Sequence, residues 1–146
     1  MTRILPVLAA LALGCAGAAL AQDAPVPSIP DSATDIAPAE WRDLVQGRTV
    51  TYRIGDQIWA QEAYDRSTNS VAIRLADGTC MEGTWTHVEG SYCFDWSGGE
   101  FSCFRHVRAG EEILIIPVVD GVTAGTIQTV GGVSDLPLSC GPDLTS

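Results

Sequence analysis

From about Arg48 onward, apolar and polar residues alternate with a period of two, and clusters of Gly, Asp or Asn interrupt the alternation at short intervals. Period two marks a strand with one covered face, and the clusters supply the positive-φ positions that tight hairpins need. The pattern predicts strands at residues 48–54, 57–65, 70–75, 79–87, 91–96, 101–108, 112–119 and 122–129. Gly55-Asp56, Ser67-Thr68-Asn69, Asp77-Gly78, Glu89-Gly90, Ser97-Gly98-Gly99, Ala109-Gly110 and Asp120-Gly121 lie between them, and Gly131-Gly132 reads as a further turn. About eight strands joined this closely form an antiparallel up-and-down meander, which must curl to hide its edges. The expected fold is mainly β: a small barrel or curved half-barrel. One short helix precedes it, with Pro38 in the first turn, Trp41, Leu44 and Val45 on one face and Gly47 as the stop.

The central hairpins can be registered by hand. A two-residue turn at Glu89-Gly90 sets His87 opposite Tyr92, Trp85 opposite Phe94 and Gly83 opposite Trp96, and a loop centred on Gly98 sets Cys93 opposite Cys103 and Tyr92 opposite Phe104. Both registers put Met81, Trp85, Tyr92, Phe94, Trp96 and Phe104 on one face, which is the predicted core. The other face carries Glu82, Thr84, Thr86, Cys93, Asp95, Cys103 and Arg105, where Asp95 and Arg105 could form a cross-strand ion pair.

The region before the strands reads differently. Arg3, the apolar residues 4–20 and the Ala19-Leu20-Ala21 site have the form of a secretory signal peptide ending at residue 21. Leu13-Gly14-Cys15 offers an alternative, a lipoprotein box in which Cys15 would carry a membrane anchor. Residues 22–38, with Pro25, Pro27, Pro30 and Pro38, read as a linker unable to build a ladder or a core. That leaves residues 39–146 as a single disulfide-bearing β domain.

Cleavage after Ala21 would leave seven Arg, no Lys and eighteen acids. Nucleic acid is thereby excluded as a partner, since phosphate binding needs clustered positive charge. Membrane contact is expected only through a lipidated Cys15. Four cysteines remain, Cys80, Cys93, Cys103 and Cys140, with no C-x-x-C or C-x-x-H pair among them to suggest zinc. In an exported chain they predict two disulfides. The register joins Cys93 to Cys103, and elimination joins Cys80 to Cys140.

The run Asp77-Gly78-Thr79-Cys80-x-x-Gly83-x-Trp85, followed by Cys93-Phe94 and Cys103-Phe104, with Gln61-x-x-Tyr64 before it, resembles an uncharacterised family of small exported bacterial proteins. The likeness spans residues 48–108, and Cys140 lies outside it. It implies an exported β domain and brings no activity with it.

Catalytic motifs are missing: there is no G-x-S-x-G, no H-E-x-x-H and no phosphate-cradling glycine loop. No catalytic residue, cofactor or metal is therefore assigned. His87 and His106, both on the aromatic face near Tyr92, are the side chains that titrate near neutrality, and no carboxylate falls beside them on that face. Glu111 and Glu112 read as a solvated strand entry. Trp85, Tyr92, Phe94, Trp96 and Phe104 could line a ligand cavity, because eight strands can either fill their interior or leave room for one small molecule.

These readings predict a non-enzymatic exported envelope protein that binds a small apolar ligand or an envelope component. Two alternatives remain: a protein-binding module, such as an inhibitor of an extracellular hydrolase presenting the turn at residues 97–100, and an enzyme using His87 and His106.

Overall fold

The computed structural model describes residues 28–140, so the expected signal peptide, its cleavage site and Cys15 lie outside the described residues. The chain runs β1 (Thr34–Asp35), α1 (Pro38–Val45), β2 (Thr49–Ile54), β3 (Gln57–Tyr64), β4 (Ser70–Leu75), β5 (Cys80–Val88), β6 (Ser91–Trp96), β7 (Phe101–Ala109), β8 (Glu112–Val119), β9 (Val122–Thr123) and β10 (Gln128–Ser134). Strands β2 to β8 pair in chain order, β10 joins β8 back to β2, and the eight close into an antiparallel barrel. Closure leaves these eight strands without an open edge.

The central register is Trp85 opposite Phe94, Gly83 opposite Trp96, His87 opposite Tyr92 and Cys93 opposite Cys103. Cys93 bonds to Cys103 on the outer face, and Cys80 bonds to Cys140, tying the C-terminal tail to the start of β5. Gly83 has a steric reason to be glycine: a Cβ there would lie 2.5 Å from the Asp95 carbonyl oxygen and 2.8 Å from the Trp96 ring.

The helix plugs one end of the barrel. Pro38 occupies its first turn, and Trp41 and Val45 are driven inward, with Trp41 fully buried against Tyr64, Tyr92 and His106. Burying a Trp side chain this completely is worth several kcal/mol in a packed core.

Three expectations need correction. Residues 34–36 are part of the domain: β1 pairs with β7, Ile36 is buried, and its carbonyl accepts the Tyr92 hydroxyl at 2.8 Å. Prolines flank this stretch without interrupting it, so Thr34 and Asp35 keep free N–H groups for the ladder. The strand expected at 122–129 is two elements: β9 continues the β8 hairpin, the chain breaks at Gly125 (φ +105°), and β10 closes the barrel. Gly131 and Gly132 accordingly lie inside β10, at a bulge where the Arg53 side chain passes over Gly131. Third, Arg105 pairs with Asp35 at 2.8 Å instead of with Asp95, which sits opposite Phe101.

The apolar run 113–116 reflects a strand covered on both faces. Ile113 and Ile115 enter the barrel core, whereas Leu114 and Ile116 join Val107 and Ile127 in a smaller outer cluster with Ala33 at its margin.

Candidate functional site: a cavity inside the barrel

The interior is filled at the helix end and hollow at the other. Near the helix, Trp41, Tyr64, Trp85 and Tyr92 interlock with ring centroids 5.8–6.4 Å apart. Beyond them lies a cavity of about 490 Å³ that reaches the turns between β4 and β5 and between β6 and β7. Its walls are mostly apolar: Ile73, Leu75, Met81, Phe94, Trp96, Phe104 and Ile115. Glu100 and the largely exposed Phe101 stand at its rim, so the turn at residues 97–100 borders the mouth.

The polar wall comes from across the barrel. In β3, alternation sets Ala60, Glu62 and Tyr64 on the inward face, and Glu62 is only 3% exposed. Glu62 Oε2 accepts the hydroxyls of Tyr52 at 2.6 Å and Tyr64 at 2.8 Å, and the two hydroxyls are 3.1 Å apart. Burial pushes the Glu62 carboxyl up to about 7, against the opposing pull of the two tyrosine hydrogen bonds. Burial, followed by the Glu62 charge, raises both phenols well above their ordinary range, so they remain neutral donors. No donor to Glu62 Oε1 is present among the described residues.

His106, on β7 and so across the barrel from β3, and Gln128, on β10, also line the cavity. His106 is 2% exposed, stacks on Tyr92 with centroids 4.0 Å apart and is pushed down to about 3 by burial and then by His87, so it is neutral near pH 7. His106 Nδ1 and the Nε1 of Trp59, another wall residue, have no hydrogen-bond partner among the described residues. Buried polar atoms are nearly always paired; these two, with Trp41 Nε1 at the packed end, are exceptions, and all three are closed off from solvent.

Of the aromatics singled out from sequence, Phe94, Trp96 and Phe104 line the cavity, while Trp85 and Tyr92 belong to the packed end. His87 is exposed and touches Tyr92 with centroids 4.7 Å apart; it does not line the cavity, whereas His106 does. The carboxylate found missing on the β5–β7 face is supplied by β3.

Sequence reasoning missed Tyr52, Trp59, Glu62 and Gln128. Glu62 carried a readable signal, a charge between Ala60 and Tyr64 on an otherwise apolar face. Trp59 did not. Tyr52 pairs with Ala60 and Arg53 with Ile58, so Trp59 is the extra residue of a β-bulge, and the bulge lets it turn inward beside Ala60. Chemically, the site can enclose an apolar body, offer hydrogen bonds at one wall, and take up or release one proton at Glu62 near neutrality.

Comparison of the chain with protein-family models, with curated proteins and with solved structures returns no match in any of the three.

Proposed function

We propose that this is an exported, non-enzymatic binding protein that holds one small, largely apolar molecule carrying a polar group inside its barrel. The cavity carries this reading. Its volume of about 490 Å³ falls within the ~300–1,000 Å³ of ordinary ligand sites, and it has their usual makeup: apolar walls with a few convergent polar groups. Two cross-links, one across the β6–β7 hairpin and one to the tail, favour a rigid, pre-formed site, which lowers the ordering cost of binding. Export rests on the pattern of residues 1–21 and on the likeness to small exported bacterial proteins, and two disulfides are consistent with an oxidising compartment.

The test is a titration with N-phenylnaphthylamine, a neutral apolar fluorophore, beside native mass spectrometry of protein recovered from its own compartment. One saturable site is expected, together with an adduct that is lost on denaturation. Ser102→Phe places a ring in the cavity and should weaken probe binding at least about tenfold with the β circular-dichroism spectrum retained. If the probe does not bind and the mass is that of the bare chain, the reading is wrong.

A further inference from the structure

The binding reading leaves the ligand's charge open, and the cavity wall bears on it. We infer, resting on that reading, that the ligand is an organic cation: an amine or ammonium group on an apolar body, its charge on Glu62 and its carbon frame against the rings of Trp59, Phe94, Trp96 and Phe104.

The charge inventory carries the argument. Two acids line the cavity, Glu62 in the wall and Glu100 at the rim, and no Arg does. The chain has no Lys to supply a countercharge from elsewhere. His106 is neutral, since burial holds its pKa near 3. A buried carboxylate is normally paired, because an uncompensated charge in an apolar setting costs several kcal/mol. Here its protein partners are two phenols on one oxygen, both neutral, and the other oxygen receives no donor among the described residues. A ligand ammonium would supply the missing positive charge and the missing donor together.

The remaining walls suit the same ligand. Trp59, Phe94, Trp96 and Phe104 supply broad apolar ring area for the carbon frame. Gln128 and neutral His106 also line the cavity and bring no positive charge that would compete for Glu62. An anionic ligand would meet Glu62 and Glu100 within the site and a strongly acidic chain around it, with eighteen acids against eight basic residues over the full sequence.

The test compares decylamine, decanol and decanoate, which share a carbon chain and differ in head-group charge, by calorimetry near pH 7.5. The amine should bind at least about tenfold more tightly than the alcohol, with the carboxylate weakest. In Glu62→Gln the ratio of amine to alcohol affinity should fall to near one. A pH series on the wild-type protein serves should that variant not fold. The groups in contact with Glu62 are Tyr52 and Tyr64, His106 lines the same cavity, and all three are neutral over the range, while Glu100 stands at the rim. Protonating Glu62 between about pH 7.5 and 5.5 should therefore weaken the amine roughly twentyfold and leave the alcohol level.

Equal binding of amine and alcohol overturns the inference while the binding reading stands. An amine preference that survives in Glu62→Gln, or that is flat with pH, also overturns it, since the acidic surface would then be its source. If none of the three binds while N-phenylnaphthylamine does, the inference falls and the binding reading stands; if the fluorophore fails as well and the mass is that of the bare chain, both fall.

Discussion

Glu62→Gln should change how stability depends on pH, in a direction that follows from the buried site. In the folded protein Glu62 keeps its proton up to about 7, against an ordinary 4.5. Between these values the folded state holds a proton that the unfolded chain has released, so stability falls as pH rises and levels off above about 7. At about 1.4 kcal/mol per pH unit, the loss amounts to about 3 kcal/mol. His106 acts with the opposite sign. Its pKa is lowered from 6.5 to about 3, so between these values the unfolded chain holds the extra proton and stability rises with pH.

The two slopes offset each other where they overlap, from 4.5 to 6.5, and the wild-type protein hides both. Removing the carboxyl exposes the histidine slope. The stability of Glu62→Gln relative to wild type should therefore grow by about 3 kcal/mol between about pH 4.5 and 7.5, whatever the offset at low pH. Groups common to both proteins cancel from this difference, including Asp65, which four donors from Ser67 and Thr68 hold at about 2. The assay is urea unfolding with disulfides intact, followed by tryptophan fluorescence at closely spaced pH values. A difference independent of pH would refute the reasoning, because Glu62 would then not be a buried, titrating carboxyl.

Two further predictions concern the frame that holds the site. Gly83→Ala should cost about 3 kcal/mol or more, since the new Cβ meets backbone and a packed Trp ring, whereas Gly98→Ala, with open space around it, should leave the thermal midpoint nearly unchanged. Equal midpoints for the two variants would mean that β5 and β6 are not in this register. Replacing the cysteine pairs with Ser should cost about 4 kcal/mol for Cys80 with Cys140, separated by 60 residues, and about 3 kcal/mol for Cys93 with Cys103, separated by 10. Urea midpoints measure these losses, and a non-reducing peptide map that joined Cys80 to Cys93 would contradict both the pairing and the register.

Much of the frame was legible in the chain because it depends on local rules. Period-two alternation with Gly, Asp and Asn turns defined seven of the eight barrel strands to within a residue or so at each end. The same alternation set the β5–β7 register, which a one-residue slip would have turned inside out. Where the chain departs from a regular period, that logic failed: at the bulge that turns Trp59 inward, at the break after β9, and at the short β1 among prolines.

The cavity belongs to the tertiary structure, because only closure of the sheet decides which distant residues share an interior. Phe94 and Phe104 lie on adjacent strands and could be grouped from sequence. Glu62 reaches the same space from β3 across the barrel, and Gln128 only because β10 returns to pair with β2. Whether eight strands enclose a packed core or a hollow depends on how far the Trp41 helix fills the barrel from one end. It stops at Tyr64, Tyr92 and His106, and the space beyond them is left to the site.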